Sequence, residues 1–265
     1  MYHLGGADRA ASARTRNSAT QATAAGTSGV ELASAPPAAS VLAAPSTWGA
    51  GRKAGVRYRF DDWKGGPVAD EAGLLPLKPR TAAGGTVTST PHANGHAVRF
   101  PPRCPRYGSE DCARAILQSG PAEFLNPGRR SFRYGAAIKM APSETSNGAN
   151  VVQKGFAIGQ SQFKLQVDGS AGRPSCVLVG ASSPTILAIE APVTVADGQW
   201  HQIDCARRDD MLTIAVDSRI RAERNVPAVL SIVNADPLCV GGKGTSANND
   251  QFAGVIDDVY VSIGQ

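Results

Sequence analysis

The feature that most constrains the fold is a series of short apolar runs separated by turn residues. Several runs alternate apolar and polar side chains, as half-buried antiparallel strands do. Turn pairs such as Asp168-Gly169 and Asp197-Gly198 separate them. We predict strands at 56–60, 86–90, 96–100, 131–140, 150–155, 162–168, 174–180, 185–191, 200–208, 211–217, 238–242 and 253–263. The pattern predicts an all-β fold, namely a two-sheet antiparallel β-sandwich or jelly roll.

Residues 104–128 interrupt the strand pattern. The middle of this segment reads EDCARAILQSG, with acidic residues first, then an Ala/Ile/Leu stripe and finally a glycine. That order is typical of the start and stop signals of a short helix. We therefore interpret residues 104–128 as an inserted loop with a short helical segment.

The first 54 residues differ in composition from the rest of the chain. They are rich in Ala, Ser, Thr and Gly and poor in aromatic and β-branched residues, so they bury too little apolar surface to offset their ordering entropy. We predict a disordered leader or linker over residues 1–54 and one domain over residues 55–265. No apolar stretch of about 18 residues occurs, so we expect no transmembrane segment. An export signal is also not visible.

The five cysteines point to an oxidising compartment. Cys104 and Cys112 flank a short polar loop, whereas Cys176 and Cys205 each lie in an apolar run that reads as a strand. We predict one disulfide within each of these pairs, and Cys239 is then left over as a buried thiol. Two such bridges indicate a secreted protein, while the alternative is five free thiols in a cytosolic protein.

Positive charge is concentrated between residues 99 and 133. This stretch holds seven arginines against three acidic residues, within a chain of net charge +5. Such a surface could hold a polyanion such as an acidic glycan, or it could be an ordinary solvated surface. Nucleic acid is not expected as a partner, because no nucleic-acid recognition motif accompanies the charge.

Four motifs in the second half of the chain resemble a known family. They are DGQWHQI at 197–203, LTIAVD at 212–217, LCVGG at 238–242 and FAGVIDDV at 252–259. Their order resembles that of laminin-G-like domains, a branch of the concanavalin A-like lectin and glucanase jelly rolls. Ser218 stands where the family pattern has a glycine. The resemblance implies the jelly-roll fold over residues 55–265, but this architecture hosts many functions.

The resemblance also suggests where a ligand would bind. It implies that the strands carrying Gln153, Lys154, Lys164 and Gln166 lie in the middle of the domain, where polar side chains could face a groove. Together with Arg133 from the basic stretch, these residues are our candidate ligand-binding set. The alternative is an exposed polar sheet face without a ligand.

Two further features of the sequence could be functional sites. The resemblance implies that Trp200 packs inside the sandwich and that His201 hydrogen-bonds nearby backbone, so we interpret this pair as structural. Relatives of the fold often hold a structural Ca²⁺ between the opening and closing strands, which makes Asp61 and Asp257 the candidate metal ligands. Hydrogen bonding alone is the alternative role for Asp257.

The function hypothesis is an extracellular, non-catalytic binding or adhesion module. Its partner would be a carbohydrate, including an anionic glycan, or an extracellular protein. No catalytic residues are predicted, since Asp257 and Asp258 are adjacent and should point to opposite faces of a strand. The alternatives are a glycan hydrolase or lyase of the same fold, and a structural domain without a soluble ligand.

Overall fold

A computed structural model describes residues 54–264, except for residues 107, 159 and 160. Strands make up nearly all of its regular structure, with two short 3₁₀ turns at Glu123–Leu125 and Pro142–Glu144. In chain order the strands are β1 (Ala54–Tyr58), β2 (Lys78–Ala82), β3 (Thr88–His92), β4 (Gly95–Phe100), β5 (Arg114–Pro121), β6 (Phe132–Lys139), β7 (Ala149–Gly155), β8 (Gln162–Asp168), β9 (Arg173–Gly180), β10 (Ser183–Glu190), β11 (Trp200–Arg208), β12 (Met211–Val216), β13 (Arg219–Asn225), β14 (Pro237–Val240) and β15 (Gly254–Ile263).

The strands form two antiparallel sheets. Sheet I has the order β13-β12-β11-β6-β15-β4-β3, with β1 also paired to β15. Sheet II has the order β10-β9-β8-β7-β14-β5-β2. Along one edge, β15 pairs first with β4 and then with β1, so the opening and closing strands of the domain lie side by side. The predicted two-sheet antiparallel sandwich is confirmed.

The core lies between the two sheets and follows directly from strand alternation. On β8, Phe163, Leu165 and Val167 are buried in it, while the residues between them point away. Phe163 also packs against Phe132 and Tyr134 of β6, with ring centroids 5.6 and 5.0 Å away. These contacts join the two layers, because apolar burial across a sandwich is what holds its sheets together.

The helical segment predicted within residues 104–128 is wrong. Residues 114–121 form β5, which pairs with β14 on one side and β2 on the other, so they belong to sheet II. Ala115, Ile116 and Leu117 are all fully buried. A short apolar run of this kind suits a strand buried on both faces as well as a helix, and periodicity alone does not separate the two.

Both predicted disulfides are present. Cys104 is bonded to Cys112 beside β5, and Cys176 on β9 is bonded to Cys205 on β11. The second bridge therefore crosses the core and links sheet II to sheet I. Cys239 is a buried free thiol, as expected, and burial raises its pKa to about 11.

Two predictions concern the N-terminal region and membranes. Except for Ala54, which begins β1, the predicted leader over residues 1–54 lies outside the described residues, and the domain boundary stays a prediction. Within the described part of the chain, no helix has the length and apolar character needed to cross a membrane.

Candidate functional site

Three of the predicted ligand-binding residues share the outer face of sheet II. Gln153 pairs with Lys164 across β7 and β8, and Gln166 lies two residues further along β8 on the same face. The amide of Gln153 is already used, since it accepts from Asn150 and donates to the Gly155 carbonyl. Burial lowers the pKa of Lys164. This face is polar, but its side chains are partly committed to one another.

Lys154 does not belong to that face. It pairs with Phe163 and Leu238, both core residues, so its side chain starts from the inner face of sheet II and is fully buried. Its ammonium donates to the Asn126 side chain at 2.8 Å and to both oxygens of Asn234 at 2.6 and 2.9 Å. Burial lowers its pKa to about 8. The lysine therefore ties two loops together rather than facing a groove.

Arg133 lies on the other side of the sandwich, on the outer face of sheet I. Other arginines of the basic stretch are engaged separately. Arg99 contacts Glu144, Arg130 donates to the carbonyls of Asn126 and Pro127, and buried Arg114 donates to several carbonyls and to Glu110. The stretch therefore does not form one free cationic cluster.

Arg133 lines an open depression of about 630 Å³ on the outer face of sheet I. One register row runs from β1 to β11 in the order Arg57, Tyr260, Gly135 and Asp204, and all of these residues except the glycine line the depression. Gln202 and Ser262 also line it. Side chains from four strands, β1, β6, β11 and β15, therefore meet around the depression.

The polar side chains of the depression hold one another in place. Both Nε and Nη2 of Arg57 donate to Asp258, each at 2.5 Å, in a bidentate pair. The hydroxyl of Tyr260 donates to Asp204, which also lies 3.9 Å from the Arg133 guanidinium. These contacts join residues up to 201 positions apart in the chain.

A β-bulge explains how Asp258 reaches the depression. The register of β15 against β6 shifts between Asp257 and Tyr260, and Asp258 has a positive φ of 49°. Both aspartates therefore escape the simple alternation that would place them on opposite faces.

The loop over residues 70–72 forms one wall of the depression. Asp70 is buried, and its carboxylate accepts from the backbone N–H groups of Ala72 and Leu75. The N–H of Glu71 donates to the Arg57 carbonyl at 2.8 Å. The wall is thus fixed to the strand that carries Arg57, so the hollow is preformed.

The interpretation of Trp200 and His201 needs correction. Trp200 lies half-buried on the outer side of sheet I and stacks on His92 at a centroid distance of 3.8 Å, instead of packing in the core. The His201 ring contacts the carboxylates of Asp217 at 2.8 Å and Asp197 at 3.1 Å, not backbone. Both residues still have structural contacts, but with side chains that the motif alone did not identify.

The donor set at Asp61 and Asp257 does not fit a calcium site. The two oxygens of Asp257 contact the His92 ring at 2.5 Å and the N–H of Asp258 at 2.6 Å. Asp61 lies beside Gly95 at the tip of the β3–β4 hairpin. Within the described ranges, no group of three His, Cys, Asp or Glu side chains could hold a metal ion. Calcium takes about six to eight oxygen ligands, whereas Asp257 is engaged by hydrogen-bond donors.

Solved structures with the same fold include several binding domains. Domain 4 of an extracellular GH43 arabinanase from Geobacillus stearothermophilus, in complex with arabinotriose, aligns over 79% of this chain and 91% of its own, with 14% identity and a TM-score of 0.57. The binding domain of Paraclostridial Mosquitocidal Protein 1 aligns over 78% of this chain, with 12% identity and a TM-score of 0.56. That of Botulinum Neurotoxin DC, in complex with SialylT, aligns over 78%, with 12% identity and a TM-score of 0.55.

The chain spans about half the length of the two toxin binding domains, 48% and 47%. No curated protein matches it significantly by sequence. The family model of the laminin G domain matches residues 150–263, which run from β7 to the end of β15. Residues 150–263 are therefore similar to the laminin G domain family, and the two-sheet antiparallel sandwich is the fold that the chain shares with these structural neighbours.

Proposed function

We propose that this domain is a non-catalytic, extracellular glycan-binding module whose ligand occupies the depression on sheet I. The observation that carries the proposal is the depression itself, a preformed polar hollow of about 630 Å³ lined by Arg57, Arg133, Gln202, Asp204 and Tyr260. Its volume is within the usual range of small-ligand sites, about 300–1,000 Å³.

The chemistry of the lining suits sugar hydroxyls, which both donate and accept hydrogen bonds. Carboxylates of Asp204 and Asp258 supply acceptors, and the guanidinium of Arg133 and the amide of Gln202 supply donors. Hydrogen bonds to charged groups are stronger than neutral ones. Because neighbouring side chains already hold one another, a ligand would order few of them on binding, which lowers the entropic cost.

The comparison with the arabinanase domain supports a glycan as the ligand class. That neighbour is named in complex with arabinotriose, and the alignment covers 91% of it. The toxin binding domains support the class less directly. They align over only about half their length, so the SialylT ligand of one of them gives no position on this chain.

An extracellular location is supported by the two disulfides. Structural disulfides persist in oxidising compartments and are rare in the cytosol. The Cys176–Cys205 bridge joins the two sheets through the core, so its formation is part of the folded structure.

A hydrolase of the same fold is the competing function, because Asp204 and Asp258 both line the depression. Glycosidases need one carboxyl group to donate a proton and another to act as base or nucleophile. Here both oxygens of Asp258 accept from Arg57, and Asp204 accepts from Tyr260. These pairings favour fixed acceptors over catalytic acids.

The test is a glycan-array screen of the purified chain at low salt, followed by affinity measurements on variants. We expect Arg133→Ala and Asp204→Asn to weaken binding about 10- to 100-fold, the effect of losing a charged hydrogen-bond partner. Arg173→Ala is the matched control, since Arg173 is similarly exposed and pairs with Glu190 on sheet II.

Three outcomes would change the proposal. Loss of binding in Lys164→Ala but not in Arg133→Ala would move the site to the outer face of sheet II. Product formation from a bound glycan, lost in Asp204→Asn, would make the domain an enzyme. A screen without any bound glycan would refute glycan binding and favour a protein partner.

A further inference from the structure

Gly135 and Tyr260 form a cross-strand pair between β6 and β15, and Tyr260 lines the depression. A Cβ atom at position 135 would lie 2.9 Å from Cε1 of Tyr260 and 3.1 Å from a carboxylate oxygen of Asp204. The tyrosine ring therefore lies across the glycine, a recognised way in which an aromatic residue covers a glycine on a neighbouring strand. A side chain at position 135 would displace the ring.

The ring is also fixed at its far end. The hydroxyl of Tyr260 donates to Asp204. Burial raises the pKa of Tyr260, and the Asp204 carboxylate raises it further, so the hydroxyl keeps its proton at physiological pH. With Cε1 next to Gly135 and the hydroxyl anchored on Asp204, Tyr260 lines the depression in a fixed position. The arrangement is a rigid, partly apolar platform surrounded by polar groups.

The charges around the platform do not favour an anionic ligand. Asp70, Glu71, Asp204 and Asp258 line the depression together with Arg57 and Arg133. Glu71 is paired with Arg59 at 2.8 Å, and the buried Asp70 accepts from backbone N–H groups. The Arg57 guanidinium is bound in a bidentate pair with Asp258. The Arg133 guanidinium has a looser contact, 3.9 Å from the Asp204 carboxylate. A ligand carboxylate or sulfate would therefore have to compete with carboxylates that already pair with these cations.

We propose that the depression selects a neutral saccharide, whose ring stacks on Tyr260 above Gly135 while Asp204 and Arg133 bind its hydroxyls. The apolar C–H face of a sugar ring matches the aromatic platform, and its hydroxyl rim matches the charged side chains around it. This inference rests on the proposed function of the depression and specifies its ligand class.

The experiment compares neutral and acidic ligands on the intact chain. Arabinotriose and other neutral oligosaccharides are titrated calorimetrically beside oligosaccharides of similar length that carry uronate or sialate, each at low and high salt. We expect neutral ligands to bind best and their affinity to change little with salt, because no net charge is paired.

Two substitutions at Tyr260 separate stacking from hydrogen bonding. Tyr260→Phe keeps the platform and should retain most of the affinity, while Tyr260→Leu removes the platform and should lose about tenfold. Saturation-transfer NMR on the wild-type chain needs no variant, and irradiation of aromatic protons should label the C–H face of the bound sugar.

The outcomes separate this inference from the proposed function. Salt-sensitive binding of acidic glycans that is lost in Arg133→Ala and unchanged in Tyr260→Leu would overturn the neutral-saccharide inference, while glycan binding would stand. Equal affinities of Tyr260→Leu and wild type for a neutral sugar, without aromatic saturation transfer, would overturn the platform. Absence of binding by every glycan would overturn both proposals.

Discussion

Replacing Lys154 with methionine should change how the stability of the domain depends on pH. The substitution keeps the length of the buried side chain but removes the ammonium that donates to Asn126 and Asn234. Because Lys154 is fully buried, its charged form is disfavoured and its folded-state pKa is about 8, against 10.5 for an unperturbed lysine.

The direction of the pH dependence follows from the number of protons that the folded and unfolded states bind. Between pH 8 and 10.5 the folded state has released the Lys154 proton while the unfolded state still holds it, so unfolding takes up protons and stability rises with pH. The pKa difference between the folded and unfolded states corresponds to about 3 kcal/mol of unfolding free energy between pH 8 and 10.5, at about 1.4 kcal/mol per pKa unit. The methionine variant lacks this group and should not show that contribution.

The assay is urea unfolding without reductant at several pH values from 7 to 10.5, for wild type and Lys154→Met. We expect the free energy of unfolding of wild type, relative to the variant, to rise by about 3 kcal/mol across that range. Parallel curves would refute the buried-lysine reasoning. Glycan affinity should be the same in both proteins, since Lys154 does not line the depression.

Three further predictions follow from individual contacts. Gly135→Ala should destabilise the domain by about 1–3 kcal/mol, because the new Cβ would lie 2.3 Å from a backbone oxygen, and thermal melts should show a lower Tm. Burial disfavours the charged His201 ring, but its two aspartate partners outweigh this and raise its pKa. Its stabilising contribution should therefore be complete below about pH 6.5 and be lost as the pH rises through the folded pKa, and His201→Gln should remove that dependence. Replacing Cys176 and Cys205 with alanine should cost about 3–4 kcal/mol, given a sequence separation of 29 residues, whereas equal denaturation midpoints would contradict a structural bridge.

The sequence was informative about the fold because strand alternation is a local property. The strands predicted at 162–168 and 211–217 are present as β8 and β12, and their alternating apolar residues lie in the core. The segment that became β5 failed for a physical reason. Its Ala-Ile-Leu run is buried on both faces, so it carries no alternation that would separate it from a helix.

The candidate site was much harder to predict, because it depends on long-range register. Arg57 and Asp258 meet only because the first strand pairs with the last, and Asp258 faces outward only because β15 contains a bulge. No local sequence pattern shows that β1 pairs with β15 or that β15 contains a bulge. One signal was available, since Gln153 and Lys154 are adjacent on a strand and therefore could not share a face.

The most direct test of the account is an amide NMR titration of the chain with its best glycan ligand. If the depression on sheet I is the binding site, chemical-shift changes should concentrate at Arg57, Arg133, Gly135, Asp204 and Tyr260. Changes concentrated at Gln153, Lys164 and Gln166 on sheet II, or no saturable changes with any glycan, would contradict the central claim.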